Sequence, residues 1–379
     1  MSEDKPVEVE AWLSQLGRPS ADRDYKPGHQ RMQELLQPLS IKRPKLRIRI
    51  AGTNGKGSTA FMLSNALQAC GLKIGLYTSP HIHHFNERIR VNGAEIDDRE
   101  LIALMQSIMP TALEIGASYF EVATALALSH FSTTRVDVEI LEAGVGARLD
   151  ATTAVDADMA LITPIGLDHQ NWLGNTIESV ANEKSHAAKG CVMVLSAEQQ
   201  EEVLSILLRQ ASALEIVSPD QAMLLSAVGQ HQQQNAALAW SAVQQLAANG
   251  LVDSDKLAAA KAAIQATTIP GRMQKVTCDN ATLWLDAAHN SHAVQALLPT
   301  LKPLNLDAIF IFTREDRSLD DSFPLLASVA QRIITDADYP NVAEALNAEL
   351  LSYPNGRFLI LGSFITVATV LEQVKSYRD

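Results

Sequence analysis

The stretch LRIRIAGTNGKGSTAFMLSNALQ, residues 46–68, constrains the fold more than any other part of the chain. A short β-prone run, LRIRIA, meets a glycine loop. The loop opens into a helix from about Ser58 to Cys70, with Phe61, Met62, Ala66, Leu67 and Cys70 at apolar spacing and Gly71 placed to cap it. KIGLYTS (73–79) reads as the next strand, so 46–79 forms a β-loop-α-β unit. The loop misses the common triphosphate-binding template of Gly, four free positions and Gly-Lys-Ser/Thr. Ile50 stands where the first glycine belongs, Gly57 follows Gly55-Lys56, and the hydroxyl arrives one place late at Ser58.

VDVEILEAG (136–144) and DMALITPIG (158–166) are further strands of the continuous apolar kind found in parallel sheets, and ATALALSHF reads as a packed helix. This alternation predicts a doubly wound α/β domain. Past residue 184, SAEQQEEVLSILLRQ, NAALAWSAVQQLAANG and DSDKLAAAKAAIQATT read as helices, and IPGRMQ (269–274) as a domain joint. TLWLDAA, LDAIFIFT, SVAQRIITDA and RFLILGS then recur as strands between helices. The expected division is 1–270 and 271–379, the second a smaller α/β domain.

Composition narrows the partners. With 379 residues, 47% hydrophobic, the chain has apolar mass for about two domains. A formal net charge of -12 and no Lys/Arg block argue against a nucleic-acid footprint, so anions must be met in a local positive pocket. Cys70, Cys191 and Cys278 share no metal-like spacing and read as reduced cytosolic thiols. MSEDKPVEVE is too polar for a signal peptide, and no apolar run approaches the ~20 residues that span a bilayer. The expected location is cytoplasmic, with no membrane partner.

In open parallel sheets, ligands gather at the carboxyl ends of strands. Here the first strand runs into Thr53-Asn54-Gly55-Lys56-Gly57-Ser58 and the second into Ser79-Pro80-His81. The third ends at Glu142 before GVGARLDATT, and the fourth leads to Asp168-His169. A lysine, two hydroxyls, a carboxylate and an imidazole thus converge on one rim, as a Mg²⁺–nucleotide site requires. Backbone N–H groups of the glycine loop and the following helix N-terminus favour phosphate. Each piece alone is an ordinary turn, helix cap or core histidine; their common position carries the reading. Zinc at His81, His83 and His84 is disfavoured, because no cysteine or carboxylate set is spaced for a tetrahedral site.

Eight ordered motifs carry a resemblance: AGTNGKGS, YTSPH…ERIRVNG, YFEVAT, DVEILEAGVGARLDAT, LDHQNWLGNTIESVANEKS, PGRMQ, DAAHNSHA and LGSF.TVA. From about residue 45 onward the chain resembles the folylpolyglutamate synthase/dihydrofolate synthase family, the folate branch of the Mur-ligase superfamily. In that superfamily the useful hydroxyl lies two places after the lysine, where Ser58 is. The resemblance implies a P-loop-type, mostly parallel Mur-ligase central domain and a smaller Rossmann-like α/β C-terminal domain. It also implies an ATP-dependent amide ligase, a monomer, that joins L-glutamate to dihydropteroate or a reduced folate through an acyl phosphate. Thr53, Asn54, Gly55, Lys56, Gly57 and Ser58 would cradle the triphosphate. Ser58 and Glu142 would hold one Mg²⁺, and Ser79, Glu142 and His169 a second. Lys184 matches the lysine the family carbamylates. Asn235 would contact adenine, Arg272 and Asp286 would complete the ATP site, and His289 would serve the glutamate or phosphate side. Gly28, Ser118, Tyr119, Phe120, Glu121, Leu149, Asp150 and Ala151 match segments that hold the pterin-bearing substrate, Phe120 by stacking and Asp150 as an acceptor. Lys56, Glu142, His169 and Lys184 are the implied catalytic set.

Four departures gather around the pterin and glutamate pockets. The usual Gly-Gly-Arg-Leu-Asp-Ala-Thr-Asn is Gly146-Ala147-Arg148-Leu149-Asp150-Ala151-Thr152-Thr153, where the Ala147 methyl threatens to crowd the backbone. Asp316-Arg317-Ser318 lacks one carboxylate, DYKPGHQRM (24–32) keeps only Gly28 and Arg31, and the 189–231 region is short. The competing readings are a poly-γ-glutamate-type or other Mur-like ligase, and a nucleotide-binding homologue that has lost catalysis.

Overall fold

The computed structural model describes residues 9, 11–13, 15–16, 28–211, 213–314 and 319–376. These fall into two compact units, one drawn from Met1–Asp220 and Gln234–Gln265, the other from Gln221–Gln233 and Ala266–Asp379.

The first unit is built on eight strands: β1 Leu46–Ala51, β2 Ile74–Tyr77, β3 Ile89–Val91, β4 Ala94–Glu95, β5 Val138–Glu142, β6 Met159–Ile162, β7 Met193–Ala197 and β8 Leu214–Val217. Their order is β4-β3-β2-β5-β1-β6-β7-β8, parallel except for the β2-β3-β4 meander. β1 lies between β5 and β6, and all six of its residues are buried. The Lys56–Ala69 helix returns the chain from β1 to β2, the crossover that the opening stretch predicts. On one side Leu126, Phe131 and Leu141 share a core with Met32 and Leu35 of the Gln30–Leu36 helix. A second core joins Ala160, Ile162 and Val194 to Val180 and Ala181 of the Ile177–Ser185 helix. Full burial of such aliphatic side chains stabilises by about 1.5–3 kcal/mol each.

The second unit holds β9 Gln274–Cys278, β10 Ala281–Leu285, β11 Leu306–Ile311, β12 Ala330–Thr335 and β13 Arg357–Leu361, in the order β12-β11-β13-β10-β9. Only β9 is antiparallel, a hairpin partner of β10. The Ser291–Leu301, Val342–Ser352 and Phe364–Ser376 helices accompany this sheet.

The expected fold class is what the chain adopts. Several elements escape the sequence reading: the β3–β4 hairpin, β7, β8, β9 and the long Asp98–Ile115 helix. Ser196 and Ala197, read as helix, finish β7, and the helix begins at Glu201. The Asp316–Ser318 departure and residues 24–27 lie outside the described residues.

Candidate active site

Strand register gives the site its frame. Ile50 of β1 pairs with Glu142 of β5, Ala51 with Ile162 of β6, and Tyr77 of β2 with Leu141. The parallel strands β2, β5, β1 and β6 therefore end on one edge, and the chain leaves that edge as 78–79, 143–144, 52–55 and 163–169.

The 52–58 loop is held from several directions. Thr53 N donates to Pro164 O at 2.9 Å, and Thr53 Oγ1 donates to Gly166 O and accepts from Gly166 N at 2.8 and 3.0 Å. Gly52 has φ 145°, and a Cβ there would stand 2.0 Å from Thr163 Oγ1. Gly55, with φ 90°, caps the Lys56–Ala69 helix, and a Cβ on it would meet Asn235 Oδ1 at 2.2 Å. Buried Asn235 thus lies directly against the loop. Lys56 Nζ donates to Thr53 O at 3.1 Å and Gly52 O at 3.3 Å. Lys184, only 1% exposed, donates from Nζ to the same Gly52 O at 2.9 Å. Two ammonium groups on one carbonyl beside a helix N-terminus form a strongly anion-seeking spot.

Glu142 closes the opposite wall. Its Oε2 accepts from Ser79 N at 3.0 Å and lies 3.5 Å from where a Gly57 Cβ would be. Ser58 and Glu142 are both buried. His169 follows β6 on the same rim with φ 49°; its N–H donates to Asp168 Oδ1 at 2.9 Å, and its Nε2 is 3.7 Å from Asp168 Oδ2. Asp168, to which the sequence reading gave no role, accepts from the His169 backbone and places a carboxylate near its ring. Among the described residues no three His, Cys, Asp or Glu side chains could enclose a metal. The Glu142 carboxylate and the Ser58 and Ser79 hydroxyls are oxygen donors of the kind Mg²⁺ takes, so these residues would hold it together with water and phosphate oxygens.

A second set of segments meets beside the first. Phe120 sits where a Gly144 Cβ would be 2.6 Å from its Cζ, and its ring lies 5.8 Å from that of Tyr77. Ser118 caps the Tyr119–Thr134 helix by exchanging hydrogen bonds with Glu121, whose Oε2 also accepts from Arg31 Nε at 3.0 Å. Buried Asp150 accepts from Gly144 N, Val145 N, Thr152 N and Thr152 Oγ1. Its visible work is therefore to fold its own loop, between half-buried Leu149 and buried Ala151. Burial pushes its carboxyl above the usual range against those four hydrogen bonds. Ala147 is fully buried and joins the apolar cluster of Leu173 and Ala181, so its methyl finds room. Gly28 has open space around it.

Three residues missing from the predicted set tie these segments together: Arg31, His29 and Arg88. His29 Nε2 lies 3.0 Å from Thr153 Oγ1, and Arg88 Nε donates to His81 Nδ1 at 2.9 Å with its guanidinium 5.3 Å from the Tyr119 ring. Arg88 belongs to the ERIRVNG motif, and His29 stands beside Gly28. Burial lowers the His29 pKa below its ordinary 6.5. Since the folded pKa is the lower one, the unfolded chain takes up the proton first, so stability is full above about pH 6.5 and falls as acid is added. We expect urea midpoints to drop between about pH 7.5 and pH 5 and to drop less in His29→Gln; equal slopes would remove His29 from the pH response.

In the second unit Asp286 accepts from Met273 N at 2.8 Å and Ala288 N at 2.9 Å, and the Arg272 guanidinium lies 4.8 Å from the Phe364 ring. His289 Nδ1 is 2.8 Å from Ala287 O, and Ala287 N donates to Gly271 O, so Arg272, Asp286 and His289 share one neighbourhood. His231, absent from the predicted set, faces Asp286 and Arg272, and burial holds its pKa low.

No protein-family model matches the chain. A Bacillus subtilis dihydrofolate synthase/folylpolyglutamate synthase is 33% identical over 360 residues, spanning 84% of this chain and 83% of that protein. The Escherichia coli enzyme of the same name is 31% identical over 412 aligned residues, 97% of this chain and 96% of that one. Among solved structures, Escherichia coli FolC in complex with DHPP and ADP superposes with a TM-score of 0.85 at 28% identity, covering 99% of this chain and 98% of that one. A folylpolyglutamate synthase (FPGS) in an AMPPCP–folate complex gives 0.85 at 25% identity, covering 97% and 99%. By sequence over nearly its whole length, the chain belongs to the dihydrofolate synthase/folylpolyglutamate synthase family.

Proposed function

We propose that the protein is an ATP-dependent carboxylate–amine ligase that adds L-glutamate to dihydropteroate and to reduced folates. The observation that carries this is the convergence of Lys56, Lys184, Ser79, Glu142 and Asn235 on the 52–58 loop. The Phe120–Asp150 segments begin two residues along the chain from Glu142, at Gly144. The 1–270 region carries the ATP and pterin sites, and 271–379 the glutamate-ligase part.

A carboxylate is a poor electrophile and must meet another anion, so cationic groups have to offset charge along the phosphoryl path. Lys56 is released from the carbonyls of Gly52 and Thr53 when phosphate offers a better acceptor. Asn235 receives the adenine. Phe120 and Tyr119 hold the pterin-bearing substrate with its carboxylate toward the loop; His289 serves glutamate or the departing phosphate. Mg²⁺, held by Ser58 and Glu142 and at a second position by Ser79, Glu142 and His169, would supply charge neutralisation and alignment of the phosphates. Lys184 is carbamylated: its neutral amine adds to CO₂ with loss of a proton, replacing one of two neighbouring cations by an anion.

Incubation with ATP, Mg²⁺ and L-glutamate, with dihydropteroate and tetrahydrofolate in separate tubes, tests this by mass spectrometry. Each pterin product should gain one glutamyl unit. Absence of any gain with either acceptor would refute the substrate class.

A further inference from the structure

Strand β1 carries two arginines, Arg47 and Arg49, that are 4% and 3% exposed in the middle of the sheet. Arg47 is matched by the buried Glu139 carboxylate, 2.5 Å away. Arg49 has no such ion pair among the described residues. Its guanidinium donates to Val155 O at 2.7 Å and to Ala187 O at 3.0 Å, and among the described residues its Nε has no partner.

Burial works against a cation whose direct acceptors are neutral carbonyls, the Asp150 and Asp156 carboxylates acting on it without a direct bond, and an apolar side chain of similar length is often as stable or better. Stability therefore explains Arg49 poorly, and an incompletely satisfied buried group asks for another reason. Its two acceptors supply one. Val155 follows the Asp150–Thr153 turn. Ala187 lies three residues after Lys184, in the short turn that ends the Ile177–Ser185 helix. Lys184 donates back to Gly52, three residues after Arg49. Two hydrogen bonds thus run in opposite directions between the same two segments, 49–52 and 184–187, and close a ring. The bond from Arg49 fixes how far the lysine-bearing segment stands from the phosphate loop; its second bond attaches the Asp150 loop to the same strand.

We infer that Arg49 is a positioning residue that holds Lys184 at the Gly52 carbonyl and joins the substrate loop to that placement. The inference rests on the role proposed above for Lys184. Arg49→Met removes both donors at similar length, and Arg49→Lys keeps the charge with one donor group.

After bicarbonate-free dialysis, each protein is labelled with acetic anhydride, and modification of Lys184 is followed by mass spectrometry. Turnover, the KM for ATP and thermal unfolding are recorded alongside. In Arg49→Met we expect Lys184 to be labelled about tenfold faster or more and kcat to fall about 10–100-fold, as for the loss of other outer-shell partners. The KM for ATP should stay within about threefold. Arg49→Lys should be intermediate and carries the test if Arg49→Met does not fold. Adding Arg49→Met to Lys184→Ala should cost no further rate. Continued protection of Lys184 with kcat within about twofold of wild type overturns the inference. So does a parallel loss of melting temperature and ATP affinity with Lys184 still protected, which marks a structural filler. Normal turnover of Lys184→Ala would instead remove the catalytic reading of Lys184, while the labelling still reports whether Arg49 places it.

Discussion

Lys184→Ala is expected to lower the rate of glutamate ligation by about 10²–10³-fold while the protein remains folded. Lys184 is 1% exposed, and its Nζ meets the carbonyl that Lys56 also uses. In the uncarbamylated protein two cations held this close in a partly desolvated place repel by roughly a few kcal/mol. Removing Lys184 costs one hydrogen bond, about 0.5–1.5 kcal/mol, while Lys56 still donates to the carbonyl, and relieves that repulsion. The two contributions oppose each other, so the fold survives. Catalysis has no such compensation, because the position then offers neither an ammonium nor a carbamate to the phosphoryl path. Acetate or propionate should restore part of the rate by occupying the vacated space as a free carboxylate. Near-normal turnover without any added carboxylate or bicarbonate would take Lys184 out of the mechanism.

Gly52→Ala should disable the nucleotide site by a different route. The new methyl would stand 2.0 Å from Thr163 Oγ1 and 2.7 Å from Thr163 O, and φ 145° is a conformation that alanine avoids. Either the end of β1 or that of β6 must move. The displaced group includes the carbonyl that receives Lys56 and Lys184. A shift of an ångström in groups that align reactants costs about 100-fold, so kcat/KM for ATP should fall by at least that. Strain and overpacking should cost about 1–3 kcal/mol of stability. Steady-state kinetics at varied ATP and urea unfolding measure the two effects. Unchanged kcat/KM would show that the loop tolerates a second geometry.

The sequence made the β1-loop-helix unit legible because apolar runs, glycines and helical spacing agree there. It did not reveal β8 or β9. Their residues Leu214–Val217 and Gln274–Cys278 lie at sheet edges and are mostly exposed or half-buried, with only Val217 and Cys278 buried, and no apolar run announces them. LRIRI was legible as a strand, but not that both its arginines are buried, since alternation of charged and apolar residues ordinarily marks a half-exposed strand. Their burial comes from segments distant in sequence: Glu139 and Asp156 meet Arg47, and Val155 and Ala187 meet Arg49. Asp150 read as an acceptor for substrate. Its carboxylate also engages four donors of its own loop, an arrangement that short Asp-x-Thr spacing shares with many turns. The Arg31–Glu121 and His29–Thr153 links span 90 and 124 residues, and single-chain spacing carries no information on such pairs.

Isotope transfer tests the central mechanism most directly. Dihydropteroate carrying heavy oxygen in its carboxylate is converted with ATP and L-glutamate, and the released inorganic phosphate is analysed by mass spectrometry. If the carboxylate oxygen attacks the terminal phosphorus and leaves on phosphate when the amine bonds to carbon, one heavy oxygen must appear in each phosphate. Phosphate free of the label, formed alongside the glutamyl product, would contradict the acyl-phosphate route and, with it, the parts played by Lys56 and Lys184 along the phosphoryl path.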